Sequence, residues 1–231
     1  MGAAPPQEEL NFQIFQTLDA AELAKVVSAC AQLTFTDGKA SAYGAARGVK
    51  NNQQSEAPGP EPDEARRILL GGLSRSEAFR NFAMPKRLTL PTFARYTPGM
   101  EYGSHLDSAI AGGGEPIRSD LACTIFLSEP DTYDGGELVL ELPQAEQEIK
   151  LSAGEAIVYP ATTIHRVARV TRGVRLVAIL WVQSLVRDAA IRDILYDLTR
   201  AHAIADEQGI AEAAMLINKS YQNLLRYAAD V

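Results

Sequence analysis

Between residues 88 and 184 the sequence repeats one pattern, in which short runs of β-branched, aromatic and leucine residues alternate with turn-forming residues. The breaks between the runs include the segments SEPDTYDGG, SAGE and TRG. Runs of this length and spacing predict an antiparallel sandwich, jelly roll or barrel. No helical pattern between them is long enough for a parallel crossover, which argues against a doubly wound sheet. The runs occupy residues 88–97, 121–128, 137–142, 147–152, 156–160 and 174–184.

Helical patterns precede this β region. Asp19 is suited to cap a helix whose apolar residues recur at helical spacing, namely Leu23, Val26, Val27, Cys30 and Leu33. A second helix is predicted over residues 62–70, ending at Gly71 and Gly72. Residues 47–63 are polar, contain three prolines and show no periodicity, so they predict a long surface loop.

Helical patterns also follow the β region. One face collects Ile191, Ile194, Leu195 and Leu198, and residues 210–227 repeat the pattern. We expect these apolar faces to pack on the outside of the β core or to form a homodimer contact. The sequence therefore divides into an N-terminal helical and loop region over residues 1–79, a β domain over 80–184, and a C-terminal helical region over 185–231. Residues 1–9 are predicted to form a frayed end.

Charge and composition exclude several classes of protein. The 22 basic and 29 acidic residues give a net charge of −7, which argues against binding of nucleic acid. No apolar run approaches the ~18 residues that span a bilayer, and the N-terminus lacks the basic end and apolar stretch of a signal peptide. Cys30 and Cys123 each lie in an apolar stretch and are predicted to be buried free thiols. We therefore expect a cytoplasmic protein that contacts no membrane.

The chain has only three histidines, so their positions are informative. His105 and Asp107 are two residues apart and share one face on extended backbone, and His165 follows the run 156–160. Two imidazoles and one carboxylate leave three positions of an octahedral ion open, which suits iron(II) that activates dioxygen. Such spacing also arises by chance, so the residues alone leave a metal site and an accidental pattern open. His202 has no partner at ligand spacing and is predicted to be an ordinary helix residue.

Arg175 is a candidate for binding an anionic co-substrate. An iron(II) oxygenase needs an electron donor, commonly 2-oxoglutarate, whose distal carboxylate is best bound by a buried guanidinium. Arg175 begins the run 174–184 and shares a face with Val177, Ile179 and Trp181, so its burial requires an anionic partner. The alternative is a strand-edge arginine in a surface ion pair. Arg172, in the turn TRG, is predicted to be solvated.

Three segments resemble the PKHD-type hydroxylases, which are bacterial prolyl-4-hydroxylase-like Fe(II)/2-oxoglutarate-dependent dioxygenases. They read ARYTPGMEYGSHLD, DLACTIFLSEPDTYDGGELVL and LSAGEAIVYPATTIHRVARVTRGVR. The resemblance covers nearly the whole chain, including the segment VKNNQQ near residue 50. It implies a mainly β fold with flanking helices: a double-stranded β-helix, or distorted jelly roll, with helices at its N- and C-terminal ends.

The same resemblance implies the site residues. His105, Asp107 and His165 match the iron ligands of the family, and Arg175 matches the arginine that binds the distal carboxylate of 2-oxoglutarate. Tyr96 matches a position that hydrogen-bonds the co-substrate. No catalytic residue is expected beyond the metal centre.

Further positions of the family pattern surround this set. Thr124 and Phe126 match a strand that faces the cofactor cavity, and Phe126 stands where some relatives have a tyrosine. Tyr102 is either an aromatic neighbour of the site or simply a packed side chain. Asp134-Gly135-Gly136-Glu137 resembles the family's turn before the next core strand, and we expect its role to be structural.

The implied activity is hydroxylation of a C–H bond with release of succinate and CO2, with L-ascorbate as the reductant. The substrate, a peptidyl residue or a small molecule, is not identified by the sequence. Members of the family are encoded near iron–siderophore receptors, which implies a link to iron homeostasis. Two alternatives are a non-catalytic iron or 2-oxoglutarate sensor and a zinc hydrolase using the same three ligands, which would not need Arg175.

Overall fold

The computed structural model describes residues 12–42, 44–55, 59–112 and 115–231, so the end predicted at residues 1–9 lies outside the described residues. The helices are α1 (Ala20–Cys30), α2 (Gly44–Gly48), α3 (Pro60–Arg75), α4 (Glu77–Ala83), α5 (Ala189–Glu207) and α6 (Ala211–Ala228). The first eight strands are β1 (Gln13–Gln16), β2 (Thr36–Asp37), β3 (Lys50–Asn51), β4 (Gln53–Ser55), β5 (Pro85–Leu88), β6 (Thr92–Tyr96), β7 (Glu101–His105) and β8 (Ile110–Ala111). The others are β9 (Ile117–Arg118), β10 (Leu121–Phe126), β11 (Leu138–Glu141), β12 (Glu146–Ile149), β13 (Glu155–Pro160), β14 (Ile164–Val167) and β15 (Arg175–Ser184).

Two antiparallel sheets form the β core. The large sheet has the order β1-β13-β10-β15-β6-β4-β2, and β5 pairs with the far end of β15. The small sheet has the order β12-β11-β14-β7-β3, and β8 and β9 form a separate ribbon. The strand pairs that join these elements are antiparallel, which confirms the predicted antiparallel β class.

The period of two along β10 explains how the large sheet carries a core on each face. All six of its residues are buried. Leu121, Cys123 and Ile125 pack against the helices, in a cluster with side chains of α1, α3 and α4. Ala122 and Phe126 point the other way and join side chains of the small sheet. The strand is therefore buried along its whole length because it has no solvent face.

The start of α1 and the state of the cysteines confirm two predictions. The Asp19 carboxylate accepts a hydrogen bond from the Glu22 backbone N–H (2.8 Å), and the Glu22 carboxylate accepts one from the Asp19 N–H (3.2 Å). This reciprocal capping box satisfies two backbone donors at the helix end. Cys30 and Cys123 are both free and buried in the helix-side core.

The prediction that the second helix ends at Gly71 and Gly72 is wrong, because α3 continues to Arg75. Gly72 does not end the helix; it allows α3 to lie close to the backbone of Thr17. A Cβ built on it would lie 2.4 Å from the backbone oxygen of Thr17, so only a glycine lets α3 pack against the chain there. Gly71 has no such neighbour; a Cβ there would meet only the Arg75 side chain at 3.4 Å.

The long surface loop predicted over residues 47–63 is also wrong. This segment contributes β3 to the small sheet and β4 to the large sheet, through pairing with β7 and β6. The strands are two and three residues long, too short to produce a visible alternation. The N-terminal region expected to hold helices and loops therefore also supplies strands β1 to β4, while the division at residues 79 and 184 stays a prediction.

The C-terminal helices α5 and α6 pack on each other and are held to the core at one end. That contact joins Met84, Val186 and Leu195 to partly buried side chains of α6, including Tyr221 and Leu225. In the described part of the chain, no helix combines the length and apolarity that crossing a membrane requires.

The neighbouring glycines of α3 give a matched test of this packing. Gly71→Ala should raise the free energy of unfolding by up to about 1 kcal/mol, because alanine is the better helix former. Gly72→Ala should lower it by about 1–3 kcal/mol, because the methyl group must displace the Thr17 backbone. Urea unfolding of both variants measures the two values. Equal stabilisation by both substitutions would contradict the close approach at Gly72.

Candidate metal centre and cavity

The antiparallel pairing of β7 and β14 brings the candidate metal ligands together. His105 ends β7 and lies directly opposite His165 of β14, and Asp107 follows two residues after His105. One potential ligand atom from each of the three side chains lies within 4.8 Å of the other two. The distance from Asp107 Oδ1 to His165 Nε2 is 4.0 Å. The structure thus brings His165 to the pair His105 and Asp107, from which it is distant in the sequence.

Backbone carbonyls fix the orientation of both imidazoles. His105 Nδ1 donates to the carbonyl oxygen of Gly103 (2.8 Å), and His165 Nδ1 donates to that of Thr163 (3.0 Å). A carbonyl can only accept, so the proton of each neutral ring is on Nδ1 and the lone pair on Nε2 faces the cluster. Burial, together with the neighbouring His165, lowers the pKa of His105 to about 4, which keeps this ring neutral near pH 7.

Aromatic rings support the histidines on two sides. The register between β7 and β14 shifts at a bulge, since Tyr102 faces Val167 while His105 faces His165. The Tyr102 ring stacks on His105 with a centroid distance of 3.6 Å and an interplanar angle of 14°. Tyr159 meets His165 edge-on at 5.3 Å. Tyr102 is therefore both packed and a neighbour of the site.

A cavity of about 1310 Å³ opens onto this cluster. Leu90, Leu106 and Ile110 line it and are exposed, so they mark its rim. Besides the three candidate ligands, its wall includes the predicted co-substrate residues Arg175, Tyr96 and Thr124. The sequence-predicted site residues therefore share one cavity.

Arg175 is buried in the wall of this cavity, with only 1% of its surface exposed. Its guanidinium carbon lies 5.1 Å from the Tyr96 ring centroid and 5.4 Å from that of Phe126. Its Nε atom has no hydrogen-bond partner, and no carboxylate among the described residues pairs with it. The alternative of a surface ion pair is thus wrong for Arg175. A buried cation of this kind is stable only beside an anion, which none of the described residues supplies.

The turn before β11 packs on the stem of Arg175. Gly136 has a φ of +70°, and a Cβ on it would lie 3.0 Å from Arg175 Cδ and 3.1 Å from a ring carbon of Tyr133. This contact indicates that Gly136 of the segment DGGE has a structural role, as predicted. Arg172 differs as predicted, since its side chain is 58% exposed and pairs with Asp134 at 2.6 Å.

Tyr96 lies directly opposite Arg175 in the pairing of β6 with β15, so both side chains face the cavity. Its hydroxyl accepts a hydrogen bond from Asn52 Nδ2 (2.8 Å). Burial raises the pKa of Tyr96, and the nearby charge of Arg175 opposes this shift. The phenol therefore stays protonated near neutral pH.

Thr124 lies on the cavity face of β10 and is buried beside Tyr159. Burial and the charge of Asp107 raise the pKa of Tyr159, while a hydrogen bond with Thr124 opposes the rise. Tyr159 was not among the residues predicted from the sequence, although its spacing of two from the inward-facing Ile157 on β13 could have indicated it. Asn52, which lay in the segment predicted to be a loop, was not among them either.

The donor set fits a divalent ion with open coordination positions. Two imidazole nitrogens and one carboxylate suit a non-haem iron(II) and leave three octahedral positions for other ligands. The same set can bind zinc, which takes four ligands and keeps one position for water. The metal ligands alone therefore do not distinguish the two ions, and Arg175 is the feature that a zinc site would leave unused.

Comparisons with known proteins agree with this arrangement. A family model for the 2OG-Fe(II) oxygenase superfamily matches residues 91–183. A PKHD-type hydroxylase of Rippkaea orientalis is 42% identical over 214 residues, covering 92% of this chain and 96% of its own. A PKHD-type hydroxylase of Thermosynechococcus vestitus is 42% identical over 221 residues, covering 95% and 99%.

A solved structure supports the fold independently. The crystal structure of a Pseudomonas putida prolyl-4-hydroxylase matches with a TM-score of 0.53 and 20% identity, covering 75% of this chain and 92% of that one. At this identity the likeness concerns the fold alone. Together with the superfamily match, it confirms the predicted double-stranded β-helix core.

The ligand assignment is testable by metal content. Exchanging His105 or His165 for alanine should weaken iron(II) binding by more than the roughly 10–100-fold that loss of an outer hydrogen-bond partner costs. Asp107→Ala should have a smaller effect, because water can fill the place of the carboxylate. Anaerobic loading followed by metal analysis measures each variant. His202→Gln is the control, and loss of iron there, or its retention in both alanine variants, would contradict the assignment.

Proposed function

Since the chain belongs to the PKHD-type hydroxylases, Fe(II)/2-oxoglutarate-dependent dioxygenases of the 2OG-Fe(II) oxygenase superfamily, we propose that it hydroxylates a C–H bond of a substrate while 2-oxoglutarate becomes succinate and CO2. The substrate is a small molecule or a peptidyl residue that enters past the rim residues Leu90, Leu106 and Ile110. His105, Asp107 and His165 are the proposed ligands of the iron. Bound iron(II) would supply the site at which 2-oxoglutarate and dioxygen react.

The observation that carries this proposal is the buried charge of Arg175. A guanidinium inside a protein is stable only when an anion neutralises it and occupies its donors. The described residues offer no carboxylate to Arg175, whereas the distal carboxylate of 2-oxoglutarate matches its planar, two-pronged geometry. A zinc hydrolase does not need a buried arginine that binds a carboxylate, so Arg175 favours the oxygenase over the hydrolase.

Several side chains of the cavity wall are proposed to bind 2-oxoglutarate, each in a different way. Arg175 and the Tyr96 hydroxyl are proposed to bind the distal carboxylate, and Thr124 lies on the neighbouring strand of the same wall. Apolar side chains on the Arg175 face of β15, including Val177, line the cavity and exclude water around the ion pair. Low polarity around the pair strengthens both the charge interaction and the hydrogen bonds.

The resemblance extends the proposal in two directions. L-Ascorbate is proposed as the reductant that keeps the iron in the iron(II) state. A link to iron homeostasis is proposed because members of the family are encoded near iron–siderophore receptors.

Turnover tests the proposed reaction. Purified protein with iron(II), 2-oxoglutarate and dioxygen should release succinate when a metabolite or peptide mixture contains the substrate, and the product should gain the mass of one oxygen atom. Binding of 2-oxoglutarate without succinate release under any condition would indicate a sensor. Hydrolysis with bound zinc and no affinity for 2-oxoglutarate would indicate the hydrolase.

Arg175 gives the sharpest mutational prediction. Breaking a buried ion pair costs about 3–5 kcal/mol, so Arg175→Ala should weaken 2-oxoglutarate binding by roughly 100-fold or more. Arg175→Lys should recover part of the loss, because the charge remains while the two-pronged geometry is gone. The charge-transfer band of the anaerobic iron(II)–2-oxoglutarate complex gives the affinities.

Arg172→Ala is the matched control and should change the affinity by less than about 1 kcal/mol, because its ion pair is exposed. Iron binding should survive in all three variants. Weakening by Arg172→Ala without weakening by Arg175→Ala would contradict the assignment, and no effect of either change would contradict the use of 2-oxoglutarate.

A further inference from the structure

Asn52 lies where the chain passes from one sheet to the other. The residues before it form β3 of the small sheet, and those after it form β4 of the large sheet. Its side chain is buried, with 3% of the residue exposed, at the back of the cavity wall. Of the two polar atoms of this buried amide, Nδ2 has a hydrogen-bond partner and Oδ1 has none among the described residues, so the amide acts here as a donor.

The position of the Asn52 amide is fixed from two directions. The Gly38 backbone N–H donates to the backbone carbonyl oxygen of Asn52 (2.9 Å), which fixes the main chain at this residue. A Cβ on Gly38 would lie 1.9 Å from Asn52 Oδ1, so the amide fills the space that any side chain at position 38 would take. Asn52 Nδ2 then reaches the Tyr96 hydroxyl at 2.8 Å. The packing therefore holds this donor against the phenol oxygen.

This contact determines where the phenol hydrogen can go. Because the Tyr96 oxygen accepts from Asn52, its own hydrogen must be donated elsewhere. Within the described part of the chain, the Tyr96 hydroxyl has no hydrogen-bond acceptor. Tyr96 lines the cavity and stands opposite the buried Arg175. An acceptor for its hydrogen is thus expected in the cavity, next to the guanidinium.

We propose that Asn52 is a positioning residue, which directs the Tyr96 hydroxyl hydrogen toward the carboxylate that Arg175 binds. The inference rests on the proposed function, in which that carboxylate is the distal group of 2-oxoglutarate. The anion is then bound by two charge-assisted donors, the guanidinium and a phenol oriented in advance. Orientation in advance raises affinity because less rotational freedom is lost on binding.

A double-mutant cycle tests this role. Tyr96→Phe should raise the Kd for 2-oxoglutarate about tenfold, the effect of losing one hydrogen bond to a charged group. Asn52→Ala should raise it roughly three- to tenfold, and the double variant should be no weaker than Tyr96→Phe alone, since both changes remove the same interaction. Anaerobic titration of the iron(II) protein with 2-oxoglutarate measures each Kd, with calorimetry as a second readout.

Asn52→Asp tests the direction of the hydrogen bond with a side chain of the same shape. A carboxylate at position 52 would take the phenol hydrogen and repel the bound anion, so the Kd should rise more than in Asn52→Ala. Asn51→Ala is the matched control, because Asn51 is an exposed neighbour whose amide donates to the Gly99 carbonyl (3.1 Å) and not to Tyr96. Its Kd should equal that of the wild type.

The outcomes separate this inference from the proposed function. A wild-type protein that binds no 2-oxoglutarate would overturn both. A wild type that binds it, with Asn52→Ala or Asn52→Asp binding equally well, would overturn only the positioning role. If the increases in Kd caused by Asn52→Ala and Tyr96→Phe multiply in the double variant, the positioning role alone is likewise overturned. Iron content and thermal midpoints are measured for every variant, and a loss of affinity that only follows a loss of iron or of stability would indicate a merely structural role.

Discussion

A guanidinium charge buried with no carboxylate partner among the described residues is the constraint around which the cavity is arranged. The charge of Arg175 lies beside the Tyr96 and Phe126 rings. Its stem lies next to Gly136, where φ is +70° and a Cβ would be only 3.0 Å from Arg175 Cδ. Such a group is costly to keep out of water unless an anion joins it. Its surroundings are built to hold the guanidinium in place and leave one side open to the cavity. The buried positive charge is therefore complementary to the negatively charged carboxylate of the proposed ligand.

The arrangement of the three candidate metal ligands depends on the pairing of two short strands. His105 and His165 lie opposite each other because β7 and β14 are antiparallel. The register shifts at a bulge between this pair and Tyr102, whose ring stacks on His105. Each Nδ1 atom donates to a backbone carbonyl two residues earlier in the chain, that of Gly103 within β7 and that of Thr163 just before β14. The imidazoles are thus oriented by main-chain groups, which do not depend on the identity of neighbouring side chains. The carboxylate of Asp107 completes the cluster from the loop that follows.

The β class, the N-cap of α1 and the face of Arg175 could be predicted from the sequence because each rests on a local rule. Period-two alternation and turn residues define β10 and β15, and Asp19 with Glu22 defines the start of α1. The failures have a common cause as well. Gly72 looked like a helix end, yet its small size serves contact with Thr17. Residues 50–55 looked like a loop because strands of two or three residues carry no readable period.

By itself the sequence determined the antiparallel β core, the flanking helices and the residue types able to bind a metal and an anion, since these depend on patterns of neighbouring residues. Only the tertiary structure decided that His105, Asp107 and His165 share one cluster and that Arg175 lacks a carboxylate partner among the described residues. It alone placed Asn52 against Tyr96. Strand register and packing join positions far apart in the chain, and no local pattern records which distant groups meet or which charge is left without a partner.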